Sequence, residues 1–203
     1  MRGWDWSRGT QRHFHLIPKS HMQKTLRSLV LAAAAIVLPT ALSAQASATS
    51  FGKGTKILSL GLMTGGDYDG FGGGASVEVG VVDFTPKIKL GVGGLIGYVR
   101  NSESFGLSNY TFTAIPVMAI GNVHFEVPNQ PKLDLYAGAS VGIIRGSFSG
   151  SFTGIPGGGA SNTDTGFGIQ GGARYGIGDK LSVMGQIGIG DIPLLFAGVS
   201  LKF

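Results

Sequence analysis

The printed sequence ends in Leu195-Phe196-Ala197-Gly198-Val199-Ser200-Leu201-Lys202-Phe203. Apolar residues occupy every second position of this stretch, and its last residue is aromatic. Alternation with a period of two is typical of a β-strand that has one apolar face and one different face. We therefore expect a strand whose apolar face is formed by Leu195, Ala197, Val199, Leu201 and Phe203.

The same weak alternation recurs along most of the chain, in segments separated by Gly, Asp, Asn, Pro and Ser. Alternating segments of roughly ten residues are the sequence signature of transmembrane β-strands. Eight strands are predicted, at residues 55–64, 73–83, 87–100, 110–127, 132–145, 164–176, 180–190 and 194–203. The fold class is therefore all-β: residues 47–203 are predicted to form an eight-stranded antiparallel up-and-down transmembrane β-barrel. The sheet is expected to close by pairing strand eight with strand one near Lys56 to Leu62.

The connections between the predicted strands alternate in length. The short ones are 83–86, 128–131 and 176–179, and the longer, more polar ones are 65–72, 101–109 and 146–163. Membrane barrels have short turns on the periplasmic side and longer loops outside. Both ends of the barrel are thus expected on the short-turn side, and 154–159 is expected to be a mobile loop tip.

Sorting each strand by its more apolar alternate set separates an outward face from an inward face. Charged residues fall on the inward face, where they avoid the cost of about 2–4 kcal/mol for a charge facing lipid at mid-membrane. Near the short-turn end this face is predicted to hold a lumen charge network of Glu78, Lys89, His124, Glu126, Asp134, Arg174 and Lys202. Because an eight-stranded interior is only wide enough for side chains, we interpret this network as a salt-bridged plug. A selectivity filter is the alternative interpretation.

The amino-terminal region is predicted to lie outside the barrel. Residues 22–46 have the pattern of a secretory signal peptide, with early basic residues, an apolar stretch and the small-residue cleavage site Ala44-Gln45-Ala46. Residues 1–21 lack this pattern and are interpreted as an upstream extension, with translation starting at Met22. The apolar stretch is too short for a membrane-spanning helix, which needs about 20 residues.

The charge balance of the barrel differs from that of the whole chain. The chain has 16 Lys and Arg against 11 Asp and Glu, but residues 1–44 hold six of these bases and one acid. Residues 45–203 are therefore formally neutral, so the sequence offers no basic patch for nucleic acid. The chain has no cysteine, which excludes disulfides, zinc–thiolate sites and cysteine catalysis.

Catalytic and metal chemistry find little support in the residues. His124 lies close to Glu126 on one predicted face, a pairing that could form a general base, but its expected position is inside the periplasmic end. Asp67-Tyr68-Asp69-Gly70 has an acidic spacing without the rest of a calcium-binding loop, so a solvated turn is expected. We predict no catalytic residue, no metal site and no cofactor.

Three segments carry a resemblance to a known family. They are residues 115–125, 132–142 and 166–175, which look like the fourth, fifth and sixth strands of the outer-membrane β-barrel domain family of small OmpA-like, opacity-type and OmpW-like barrels. The resemblance implies an integral protein of the bacterial outer membrane, embedded in lipid and expected to be a monomer. It also implies that the terminal strand ending in Phe203 is the signal read by the outer-membrane assembly machinery.

The function implied is a structural role or binding through the longer loops. A narrow porin-like conduit for small or apolar solutes is the alternative, since the inward set near Leu95 and Val99 is weakly apolar. A soluble β-sandwich, of which Leu195–Phe203 would be the last strand, is the third possibility.

Overall fold

A computed structural model describes residues 51–65, 70–152, 155–193 and 195–203. The predicted upstream extension at 1–21, the predicted signal peptide at 22–46 and Asp67-Tyr68-Asp69 lie outside these residues. Within the described ranges, no helix is long and apolar enough to cross a membrane.

Eight strands form one closed barrel in which each strand pairs antiparallel with the next along the chain. Their bounds are β1 Lys56–Thr64, β2 Phe71–Thr85, β3 Ile88–Phe105, β4 Ser108–Glu126, β5 Leu133–Phe152, β6 Ile155–Gly176, β7 Leu181–Gly190 and β8 Leu195–Lys202. The first and last strands close the ring, with Leu58 opposite Leu201 and Leu62 opposite Ala197. The predicted fold class, strand order and closure are confirmed.

The outer surface of the ring is apolar, while polar side chains point inward. On β1, Leu60 and Leu62 are exposed, whereas their chain neighbours Ser59 and Met63 are buried. A belt of exposed aliphatic residues on this scale would be unstable in water and suits contact with hydrocarbon. Exposed aromatic residues on the outward face include Tyr98, Phe125, Phe167, Tyr175 and Phe203.

A β-bulge changes which residues of β2 face outward near its end. The pairing of β2 with β3 shifts between Gly80 and Val82, so that Val82 lies opposite the outward Leu90. The cause lies in the segment before β1, whose backbone hydrogen-bonds to Gly80: Gly54 N–H donates to the carbonyl of Gly80, and Gly80 N–H donates to that of Thr55, both at 2.8 Å. These bonds hold the strand in a bulged register.

The two long connections predicted at 101–109 and 146–163 are mostly strand instead. β3 and β4 continue to a two-residue turn at 106–107, and β5 and β6 continue to residues 152 and 155. The expected mobile tip at 154–159 therefore falls, from Ile155 onward, inside β6. Strands β3 to β6 are 18 to 22 residues long against eight to ten for β1, β7 and β8. About ten tilted residues cross a bilayer, so these four strands project beyond it as a sheet.

The lumen is filled by side chains of two kinds. Towards the projecting sheet it holds an apolar cluster made of Met63, Leu95, Val99, Ala114, Met118, Ile120, Ile144, Met184, Ile192 and Phe196. Towards the short turns it holds polar and charged residues. Glycines on inward positions make room for the large side chains: a Cβ on Gly97 would lie 2.5 Å from the sulfur of Met63, and one on Gly172 would lie 2.5 Å from the ring of Tyr136.

Candidate functional site

Four charged side chains from four strands form a closed cycle inside the barrel. Arg174 on β6 donates through Nη2 to Glu78 Oε2 at 2.5 Å and through Nη1 to Asp134 Oδ2 at 3.2 Å. His124 on β4 lies between the same two acids, with Nδ1 2.8 Å from Asp134 Oδ1 and Nε2 2.9 Å from Glu78 Oε1. All four residues are buried. We call this group the ionic cycle.

Both ring nitrogens of His124 face carboxylate oxygens. Ionised carboxylates only accept hydrogen bonds, so between two ionised acids both ring nitrogens of His124 donate, as those of an imidazolium cation do. The cycle then contains two negative and two positive groups and is neutral. Buried charges of this kind are tolerated where each has a partner in good geometry, and here each acid contacts both bases.

Neutral polar residues extend the cycle deeper into the lumen. Asn122 donates to Glu78 Oε1 at 2.9 Å and accepts from Gln170 at 2.9 Å. Tyr136 donates to Gln186 at 3.2 Å, and its ring lies 4.5 Å from the guanidinium carbon of Arg174. These bonds connect strands that are not neighbours in the ring, β2 with β4, β4 with β6 and β5 with β7, so the polar half of the lumen is cross-linked as well as filled.

Phe51 covers the ionic cycle on its short-turn side. It precedes β1, is buried, and stacks on the ring of His124 with centroids 3.7 Å apart and an interplanar angle of 16°. Gly91 lies beneath this stack, since a Cβ there would be 2.7 Å from the Phe51 ring. An aromatic lid over an imidazolium keeps water from the cycle and adds a cation–π attraction.

The remaining residues of the predicted network lie nearer the mouth. Lys89 forms an ion pair with Glu126, and the pair borders a cavity of about 370 Å³ that is also lined by Phe51 and His124. Lys202 lines a separate small cavity beside Asp134 and Arg174. Of the seven predicted residues, Glu78, His124, Asp134 and Arg174 are joined in the cycle. Lys89 and Glu126 form a second pair, and Lys202 lies adjacent.

Sequence reasoning missed Phe51 and most of the apolar cluster in the lumen. Phe51 stands outside any alternating segment, so no strand phase could assign it. Phe196 is fully buried in the lumen, whereas Phe112 packs at the edge of the apolar cluster. Tyr110 lies on the inward face of β4 and stacks on Phe148. Its place in the alternation of β4, in phase with the inward His124, was the signal that could have found it.

The arrangement offers little for catalysis. The expected partner of His124 was Glu126, but Glu126 pairs with Lys89, and both nitrogens of His124 are engaged by Glu78 and Asp134. An imidazolium held between two carboxylates has no free lone pair with which to act as a base. In the described part of the chain, no group of three or more His, Cys, Asp or Glu residues could hold a metal ion.

A closed β-ring with an apolar exterior and a lumen filled by ion pairs is an integral membrane barrel. Residues 30–197 match the model of the outer membrane protein β-barrel domain family. The chain belongs to this family and is a protein of the bacterial outer membrane, in contact with its lipid. Among curated proteins, the comparison finds no match.

Several solved structures are similar in fold. The attachment invasion locus protein Ail of Yersinia pestis is 16% identical, with 74% of this chain and 99% of that chain covered and a TM-score of 0.49. Neisserial surface protein A is 15% identical, with 73% and 94% covered and a TM-score of 0.43. The N-terminal β-barrel domain of Pseudomonas aeruginosa OprF is 16% identical, with 76% and 100% covered and a TM-score of 0.41.

Proposed function

We propose that this outer-membrane barrel is a closed, non-catalytic anchor whose working surface is the projecting sheet of β3 to β6. The observation that carries the proposal is that the same barrel has a filled lumen and strands that extend far beyond the bilayer. Residues 101–105 of β3 pair only with β4, and residues 155–167 of β6 pair only with β5. A structural or binding role at this surface needs no passage through the barrel.

The two plugs that fill the lumen support the closed state. The ionic cycle joins β2, β4, β5 and β6 across the interior, and the apolar cluster fills the other half with side chains such as Met63, Met118 and Phe196. Opening a water path would require breaking buried ion pairs and hydrating the apolar cluster together. Both steps are costly in a low-dielectric interior.

Orientation can be tested directly because the chain has no cysteine. We expect Ser149→Cys, at an exposed position on the projecting part of β5, to react with a membrane-impermeant maleimide on intact cells. Asp179→Cys, in the β6–β7 turn, should react only after the outer membrane is opened. Labelling of Asp179→Cys alone on intact cells would contradict the proposed working surface.

A narrow conduit is the second candidate, and it has a specific observation in its favour. The cavity of about 370 Å³ at the short-turn mouth reaches inward as far as His124 and Asp134. Against it, strand pairing is continuous around the ring, including β7 with β8 and β8 with β1. A solute would have to displace the ionic cycle. Solute-dependent conductance in planar bilayers would favour this candidate.

The terminal strand is proposed to serve as the assembly signal. In support, Val199, Leu201 and Phe203 are exposed on the outward face at the seam where the ring closes. Since Phe203 is 62% exposed, Phe203→Ala should cost little stability but should slow insertion by the assembly machinery. The test compares the folded fraction in cells with the free energy of unfolding of the purified protein. A large stability loss would point to a packing role instead.

The amino-terminal assignments are proposals of the same kind. Residues 22–46 are proposed as a signal peptide and 1–21 as an upstream extension, supported by the residue pattern. Mass spectrometry of the protein from outer membranes should give an amino terminus after Ala44, Ala46 or Ala48. The barrel is proposed to be a monomer, which sedimentation in detergent would test.

A further inference from the structure

The projecting sheet has two faces of different chemistry. Its inner face continues the lumen side of the strands, because the register runs unbroken from the buried Val99, Ala114 and Ile144 into the projecting part. The inner face carries Glu103, Tyr110, Phe112, Phe148, Asn162 and Asp164. We call these six residues the inner platform. The outer face carries Arg100, Arg145 and a series of Ser and Thr residues.

The centre of the inner platform is aromatic and open. Tyr110 and Phe148 stack with centroids 5.9 Å apart, and each is 44% exposed. Phe112, two residues from Tyr110 on β4 and nearer the lumen, packs against the apolar cluster. Gly150 lies beside Tyr110, where a Cβ would approach the ring to 3.3 Å, so the glycine leaves more of the ring uncovered. Exposed ring faces attract cations through their negative π surface.

Charge is separated between the two faces. Glu103 and Asp164 lie exposed on the inner platform, and Asp164 accepts a hydrogen bond from Asn162 on the same face. Arg100 and Arg145, the two basic residues in the described part of the projecting sheet, lie on the outer face. The inner platform therefore combines carboxylates and aromatic faces, which is the chemistry that recognises a positive group.

The two carboxylates occupy opposite corners of the platform. Glu103 on β3 lies opposite Tyr110, whereas Asp164 on β6 lies opposite Ile144. Three strand spacings of about 4.8 Å and six residues of about 3.3 Å separate them by roughly 25 Å. An extended polypeptide covers that distance in about seven residues.

We propose that the inner platform binds an extended, basic polypeptide segment whose two cationic side chains reach Glu103 and Asp164 across the Tyr110–Phe148 pair. This inference rests on the proposed role of the projecting sheet as the working surface. The open, sheet-like shape favours a polypeptide over a small ammonium compound, because small ligands bind in concave sites that enclose most of their surface.

The test uses the folded protein in a non-ionic detergent and an acetylated, amidated octapeptide of Ser and Thr with Lys at positions 1 and 8. A matched peptide has norleucine at both positions, and another has Lys at positions 1 and 3. Titration calorimetry should give an affinity for the 1,8 peptide about five- to tenfold higher than for the norleucine peptide, the range expected for two exposed charge contacts. The 1,3 peptide should fall between them.

Variants assign the binding to the platform. Glu103→Gln with Asp164→Asn should weaken binding of the 1,8 peptide about five- to tenfold, and Tyr110→Leu with Phe148→Leu about three- to fivefold. The control Asp179→Asn, at the opposite end of the barrel, should leave binding unchanged. Heat-modifiable migration on gels checks that every variant is folded.

Three results would overturn the inference: equal affinity for the norleucine peptide, an equal loss in the Asp179→Asn control, or displacement of the peptide by tetramethylammonium at equal concentration. The last result would assign the platform to a small cation. If the peptides do not bind but Ser149→Cys is labelled on intact cells, this inference is refuted and the proposed function stands. Loss of that labelling would refute the proposed function itself.

Discussion

Replacing Arg174 with methionine should strongly destabilise the barrel. The substitution removes two charge-assisted hydrogen bonds, at 2.5 and 3.2 Å, from acids that are 1% and 5% exposed. Each such bond contributes about 1.5–3 kcal/mol, and breaking a buried ion pair costs about 3–5 kcal/mol. We therefore expect Arg174→Met to lower the free energy of unfolding by about 3–5 kcal/mol, because Glu78 and Asp134 are left with one cation between them.

A compensating substitution separates charge balance from packing. Arg174→Met combined with Glu78→Gln leaves His124 and Asp134 as a neutral pair, so about half of the lost stability should return. The exposed control Lys180→Met should change stability by less than about 0.5 kcal/mol. The assay is urea unfolding in lipid vesicles followed by far-ultraviolet circular dichroism, since both tryptophans lie in residues 1–21. A double variant less stable than Arg174→Met would refute the charge-balance reasoning.

Two further predictions concern the packing of the lumen. Gly172→Ala should cost about 1–3 kcal/mol, because its Cβ would lie 2.5 Å from the Tyr136 ring. The control Gly121→Ala, where a Cβ meets nothing within 4 Å, should leave the free energy of unfolding almost unchanged. Equal losses of stability in Gly172→Ala and Gly121→Ala, measured by the same unfolding assay, would contradict this reasoning. Phe51→Ala should cost about 3 kcal/mol and admit water to His124, the one histidine after residue 21, so that deuterium exchange at its ring C2 proton becomes faster. His124 is 2% exposed in the native barrel, so an unchanged slow exchange in Phe51→Ala would show that Phe51 is not its lid.

The strand count, order and facing could be predicted because lipid and lumen impose opposite requirements on alternate residues. The extension of β3 to β6 could not, since 101–109 and 146–163 are rich in Ser, Gly, Asn and Thr and lack the alternating aliphatic residues that mark the membrane-spanning segments. These residues form strands because neighbouring hairpins pair with each other. Polar cross-strand contacts such as Ser102 with Thr111 and Ser104 with Asn109 stabilise that pairing.

The members of the ionic cycle could be predicted, but their partners could not. Inward charge follows from strand phase, whereas the contact of Glu78 with Arg174 joins β2 and β6, which are not neighbours in the ring. Such contacts depend on the stagger of the strands around the barrel, which single-strand patterns do not encode. Phe51 and the bulge at Gly80 depend on how residues 51–55 pack, which no periodicity describes.

Single-channel recording tests the closed lumen most directly. Conductance would be recorded from the native protein and from the variant with Arg174→Met and Glu78→Gln, each extracted from outer membranes and inserted into planar lipid bilayers. We predict no stable open level for the native protein, because the ionic cycle and the apolar cluster fill the interior in series. A large, stable conductance of the native barrel would contradict the plugged lumen and favour the conduit.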